Sequence, residues 1–200
     1  MSFIDSTYFI GEINIPQAST SADLTQAIGH YEKEILIQLL GYKLYSLLIA
    51  DLSNGIPQSQ IYIDLVDGAE FTHSFRGQDI TLKWEGLKNT SLQSLIAYYV
   101  FYKYVERDVT RLYGSGVSMA PSGNEWQRVS PINKLIAAWE RMRELYGKVD
   151  SEYRQRSSLD IGFPLISNSD PSAYNFLYAN KDDYPDWIFT PQWNINQFGI

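Results

Sequence analysis

The sequence predicts a mainly α fold: a helical bundle around one long central helix, with one β-hairpin and extended N- and C-terminal arms. Three observations carry this. From Leu92 to Tyr102 the stretch Ser91–Tyr113 (SLQSLIAYYVFYKYVERDVTRLY) is apolar or aromatic at nearly every position, and a helix greasy on all sides must be covered on all sides. Two further stretches repeat apolar residues at helical spacing: Leu24, Ile28, Tyr31, Ile35 and Leu39, then Ile132, Leu135, Ile136, Trp139, Met142, Tyr146 and Val149. Only residues 70–85 alternate with a period of two around a Gly-containing turn.

Taken in order, residues 1–19 mix short apolar pieces with Ser, Gly and Pro and read as an extended N-terminal arm. Thr20 with Asp23 marks a helix start, and a helix follows near 22–40. On it Glu32, Lys33 and Gln38 fall away from the apolar stripe. Gly41 breaks or bends the chain, and a second helix runs near 42–53 to the SNG sequence at 53–55. Pro57 opens a third near 57–66. In the hairpin, Phe71, His73 and Phe75 alternate before RGQD, and Ile80, Leu82 and Trp84 after it. An isolated hairpin is marginal, so this one must pack on something. The long helix is expected near 90–113, with Thr90 and Gln93 as a capping box and Gly114 as its stop. Residues 114–129 form a long loop, of a length that is commonly functional. Ser130 and Pro131 then open a helix near 131–149. The expected core joins Leu95, Tyr99, Tyr102, Leu135, Ile136 and Trp139. The domain reading is therefore an arm (1–19), a helical domain (20–156) and an aromatic-rich, acidic C-terminal arm (157–200), with one short helix opened by Asp170 and Pro171.

Composition bounds the function. Two hundred residues at 44% hydrophobic and 20% charged content suit a globular chain with a real core. There is no cysteine, hence no disulfide framework and no thiol nucleophile. The N-terminus lacks the basic and apolar regions of a signal peptide, and no run has the length of a membrane helix. A net charge of −7 makes a poor general nucleic-acid binder. The tail carries five Asp against one Lys, and it also holds nine aromatic residues. Disordered tails are poor in aromatics, so this one is expected to dock on its own core or on an adjacent subunit.

The candidate chemistry is sparse. His30 and Glu34 stand one turn apart, a spacing that can share a metal, but no third ligand can be placed. His73 between two Phe reads as a packed strand residue. No G-x-S-x-G or P-loop is present, and GSGVSMAPSG lacks the Gly-Lys ending. No enzyme, no cofactor and no metal site is expected. Lys103, Arg107 and Arg111 fall four apart on one side of the long helix. Glu106, Asp108, Glu140 or Glu144 could answer them, or an acidic patch of another subunit could, the Asp-rich tail being one candidate. The cover of the long helix carries the same alternative: its own domain, or in part a neighbour. The candidate subunit-interface residues are Lys103, Arg107, Arg111, Trp126, Tyr184, Trp187, Phe189 and Trp193.

Four sequences occur in a suggestive order: LLGYKLYSLL at 39–48, KWEGL at 83–87, IAYYVFYKYVERDVTRLYGSGV at 96–117 and VSPINKLIAAWERMRELY at 129–146. Together they resemble a family of small helical head–tail connector (head-completion, neck) proteins of tailed phages and prophages of gut bacteria. The resemblance covers residues 20–150 and carries no active-site residues. It implies a structural subunit, made in the host bacterial cytoplasm, that assembles into a twelvefold ring in the virion neck at the portal vertex. Its partners would be copies of itself, the portal and tail-side neck proteins. DNA would pass through the ring without sequence-specific binding, and no membrane would be involved. Mild acidity suits a channel wall past which DNA slides, and a head-to-tail contact that closes makes a ring. The alternative of another class is a carbohydrate- or peptide-binding accessory domain using the Trp/Tyr-rich C-terminal segment. On the connector reading, residues 1–19, 114–129 and 157–200 touch neighbours. Deleting 182–200 is then expected to leave the helical core folded while weakening assembly.

Overall fold

A computed structural model describes residues 2–15, 21–75, 78–89, 91–109, 112–113, 116–117, 132–147 and 171–192. The chain is mostly helical with small antiparallel sheets. Two 3-10 turns, Ser6–Tyr8 and Gly11–Ile13, precede α1 (Ser21–Leu40) and α2 (Tyr42–Asp51). Strands β1 (Leu52–Ser53) and β2 (Ile56–Pro57) lead to α3 (Gln60–Asp67). The hairpin is β3 (Ala69–Phe75) with β4 (Gln78–Trp84), in register Ala69↔Trp84 through Phe75↔Gln78. Then come α4 (Leu95–Val109), β5 (Leu112–Tyr113) paired with β6 (Gly116–Val117), α5 (Ile132–Tyr146) and α6 (Ala173–Ala179). Among the described residues no helix is long and apolar enough to cross a membrane.

The all-round apolar character of α4 has the consequence expected of it: every residue from Ser94 to Tyr102 is buried. Its cover comes from the chain itself. Helices α1 and α5 pack on it, and the Tyr98 hydroxyl donates to Glu12 of the N-terminal segment. Tyr102 and Tyr99 meet Trp139 of α5 at ring-centroid distances of 4.8 and 6.4 Å. Leu95 and Leu135 are buried with them, while Ile136 is half-buried.

Several boundaries differ from the sequence reading. Helix α4 starts at Leu95, not 90, because Ser94 is its cap: the Ser94 hydroxyl accepts from the Ile96 N–H at 3.1 Å and donates to the Leu87 carbonyl at 2.6 Å. It ends at Val109, and Leu112–Tyr113 are paired strand rather than helix. Pro57 does not open α3. It pairs with Leu52 across the two-residue turn Asn54–Gly55, whose φ values of 51° and 77° are those a type I′ hairpin requires. Residues 2–15 are no free arm, since Phe3, Ile4, Phe9 and Ile13 are all buried. Residues 118–131, 148–170 and 193–200, which hold most of the expected loop and part of the expected tail, lie outside the described residues.

Two glycines let the chain cross itself behind the hairpin. Gly68 (φ 100°) and Gly86 (φ 83°) face each other, and a Cβ on Gly86 would stand 2.5 Å from the Val66 carbonyl oxygen. That approach allows the Leu87 and Lys88 N–H groups to reach the carbonyls of Leu65 and Val66 at 3.1 and 3.0 Å. The Trp84 indole donates to the same Leu65 carbonyl at 3.0 Å. The hairpin is thereby tied to α3, and its inner residues Phe71 and Trp84 meet Phe176 of α6 at 5.5 and 5.9 Å.

Candidate functional site

The C-terminal segment and the end of α1 form a joint. A helix leaves its last four carbonyls without partners inside the helix. Gly41, at φ 79°, turns the chain out of α1, and its N–H satisfies the Ile37 carbonyl at 2.9 Å. The other three carbonyls are met from a strap, residues 184–192. The Thr190 N–H reaches the Gln38 oxygen at 3.0 Å, the Trp187 indole N–H the Leu39 oxygen at 2.8 Å, and the Ile188 N–H the Leu40 oxygen at 3.2 Å. The strap is held elsewhere too. The Tyr184 hydroxyl donates to the Ile61 carbonyl and the Tyr146 hydroxyl to the Thr190 carbonyl, each at 2.6 Å. The Gln192 amide donates to the Gln38 side chain at 2.7 Å. Buried Arg143 donates to the Gln192 carbonyl at 3.3 Å and pairs with Glu140 at 3.2 Å. Burial pushes both tyrosine hydroxyls well above the usual phenol range, with the carboxylates of Asp64 and Asp183 adding to the effect at Tyr184. Both therefore stay protonated and able to donate at any ordinary pH.

The outer side of this joint is apolar. Tyr42, the first residue of α2, is 72% exposed, and Ile188 of the strap is 66% exposed. They flank Gly41, where a Cβ would lie 3.0 Å from that of Ile188. Further along α2, Leu47 and Ile49 are also partly exposed, on different sides of the helix, while Leu44 and Leu48 are buried. Lys43 ion-pairs with Asp186 of the strap at 2.6 Å. Asp51, at the far end of α2, accepts from the N–H groups of Gln58 and Ser59 at 2.8 and 2.9 Å, and the Ser59 bonds hold its carboxyl below the usual range. Lys43 is thus paired within the chain, while Asp51 keeps its negative charge and accepts only from neutral donors.

The residues singled out from sequence lie elsewhere or face inward. Arg107 pairs with Asp23 of α1 at 2.9 Å and lies over the Tyr104 ring at 5.3 Å. Lys103 lies 5.7 Å from the Tyr99 ring. Glu140 and Glu144 meet Arg143 and Arg141 of their own helix. Tyr184 is buried in its own chain, and Trp187 and Phe189 pack against that same core, Phe189 on Tyr146 at 5.1 Å. All three were candidates for a subunit interface: Tyr184 is buried within the chain, while Trp187 and Phe189 are half-buried on its core. Arg111, Trp126 and Trp193 lie outside the described residues.

Among the described residues no group of three or more His, Cys, Asp or Glu could hold a metal ion. Glu34, the possible companion of exposed His30, accepts from the Tyr99 hydroxyl at 2.8 Å. His73 is buried in the hairpin, and burial lowers its pKa. The sequence reading missed Glu32. It was read as lying off the apolar stripe, yet it is buried and accepts the N–H groups of Phe3 and Ile4 at 2.9 and 3.4 Å and the Ser2 hydroxyl.

A family model described as "Family of unknown function (DUF6712)" matches residues 36–124 and 172–197. The two matched segments meet at the joint, the first containing the last turn of α1 and all of α2, the second containing the strap. No curated protein and no solved structure matches the chain.

Proposed function

The chain belongs to DUF6712, a family of unknown function, and from that premise we propose that it is a structural assembly subunit: a phage or prophage head–tail connector that forms a ring between portal and tail around the DNA channel. The observation that carries this reading is the pair of large apolar side chains, Tyr42 and Ile188, left exposed on either side of Gly41, beside the Lys43–Asp186 ion pair. Large apolar side chains exposed side by side are a feature of protein contacts. The resemblance of residues 39–48, 83–87, 96–117 and 129–146 to connector proteins supplies the setting. In it, the bundle around α4 is the body of a twelvefold ring in the virion neck, with the portal on one side and tail-side neck proteins on the other. The reading gives the chain no catalytic role and no cofactor. The carbohydrate- or peptide-binding alternative is not adopted, because Tyr184, Trp187 and Phe189 are committed to the chain's own core.

Electron microscopy of the assembled particle tests this. The expected result is density for this fold in a closed ring at the portal vertex. Particles whose neck is built without this chain would overturn the proposal.

A further inference from the structure

We infer that Gln192 is the side chain by which the seat at the end of α1 recognises its strap, and that a one-way hydrogen-bond relay set by Glu34 makes this seat specific for an amide. The inference concerns strap docking and holds whether or not the chain builds a ring.

The relay runs from Glu34 through Tyr99 and Gln38 to Gln192. The Tyr99 hydroxyl lies 2.8 Å from a Glu34 carboxylate oxygen and is also hydrogen-bonded to the Gln38 side chain. Gln38 Oε1 lies 2.7 Å from Gln192 Nε2. A carboxylate offers only lone pairs, so the one Tyr99 proton goes to Glu34. Toward Gln38 the hydroxyl can then only accept. Gln38 must therefore turn its NH2 group to Tyr99 and its carbonyl to Gln192. The other side of Gln192 is fixed in the same way. The Tyr146 hydroxyl donates to the Thr190 carbonyl at 2.6 Å, which leaves its oxygen to accept from the Gln192 side chain bonded to it. Both hydrogens of the Gln192 nitrogen are thereby used, one by Gln38 and one by Tyr146. A carboxylate at position 192 would face two oxygens instead. Gln38 could not flip to help it, because its carbonyl would then meet the Tyr99 oxygen. Tyr99 and Tyr146 are deeply buried, where a mismatched polar contact is costly. Arg143 does not share in this selection, since it reaches the main-chain carbonyl of Gln192, which any residue supplies.

The test is urea unfolding of the full chain with the two ends of the relay exchanged. Gln192→Glu should raise the unfolding constant at least about tenfold. Glu34→Gln should leave it within about twofold, since an amide oxygen accepts from Tyr99 as a carboxylate does. Combining the two lets the relay run backwards. Gln at position 34 gives its NH2 to Tyr99, Tyr99 donates to Gln38, and Gln38 donates to the carboxylate at 192. The double variant should therefore regain most of the loss. Tyr99→Phe cuts the relay while keeping the ring against Trp139, and in that background the rescue should vanish. If Tyr99→Phe fails to fold, Gln38→Met cuts the same relay at its middle link. A Gln192→Glu protein as stable as the parent would overturn the inference, as would a double variant no more stable than Gln192→Glu. Rescue that persists in the cut background would also overturn it, because plain repulsion between two carboxylates would then be the cause.

Discussion

Replacing Trp187 by Ala should destabilise the whole protein, although this residue lies in a segment that the sequence reading treated as an arm. Truncating a fully buried Trp costs about 3–5 kcal/mol. Trp187 is half-buried against Tyr174 and Phe189, which brings that contribution to about 2 kcal/mol. The lost indole bond to the Leu39 carbonyl adds about 1 kcal/mol. A loss of about 3 kcal/mol in a chain of this size lowers the melting temperature by about 6–12 °C. Thermal melting followed by far-ultraviolet circular dichroism reads this directly. Trp187→Phe keeps most of the packing and loses only the N–H donor, so its loss should be nearer about 1 kcal/mol. Ile188→Ala is the control: the strap uses the backbone N–H of Ile188 and leaves its side chain in water, so melting should stay within about 1 °C. Deleting 182–200 removes Tyr184, Trp187, Phe189 and three carbonyl caps together. It should cost more than Trp187→Ala, against a total stability of about 5–15 kcal/mol. The expectation that the core survives this deletion is thereby reversed. A Trp187→Ala protein melting within about 2 °C of the parent would refute the reasoning, because the strap would then be detachable.

Three other outcomes follow from features of the fold. Burial raises the folded-state pKa of Glu32, with the Ser2, Phe3 and Ile4 hydrogen bonds opposing the shift. The stability this group contributes is thus complete below the ordinary value of 4.5 and is lost as pH rises through the folded value. The melting advantage of the parent over Glu32→Gln should therefore be larger near about pH 4 than near about pH 7; an equal or reversed difference contradicts the burial argument. Gly86→Ala forces a Cβ against the Val66 carbonyl at a φ of 83° and should cost about 3 kcal/mol or more in chemical denaturation. Arg107→Ala breaks a partly exposed pair with Asp23 and should change stability by at most about 1 kcal/mol, measured the same way.

The parts of the fold governed by local pattern were legible in the sequence. Helices α1 and α2, the hairpin and α5 follow from apolar periodicity, and Gly41 separates the first two as expected. The errors fall where a long-range partner decides. Ser94 caps α4 because the Leu87 carbonyl holds it in place, and nothing adjacent in sequence advertises that. Glu32 breaks the polar-outward rule because the N-terminal backbone folds over it. The β1–β2 turn was within reach, since Asn54–Gly55 between short apolar stretches is a strong hairpin signal; Pro57 drew the reading toward a helix start instead. For the candidate site, composition showed that the tail must dock. It could not say that the tail docks on α1, because the capping donors and the capped carbonyls are about 150 positions apart. The exposed pair beside Gly41 was hidden for a related reason: Tyr42 and Ile188 become neighbours only after the strap closes.

That separation also bears on how the molecule is made. Trp187 and Leu39 are 148 residues apart, so a ribosome adding roughly 5–20 residues per second reaches the cap roughly 7–30 seconds after it has made the helix end. Until then the last three carbonyls of α1, those of Gln38, Leu39 and Leu40, have only water as partner, and a nascent chain can hold a nearly complete helical core with its first helix unfinished. Completion of the helix end thus waits for residues made about 150 positions after it. Tyr42 and Ile188 are brought to either side of Gly41 only at that moment.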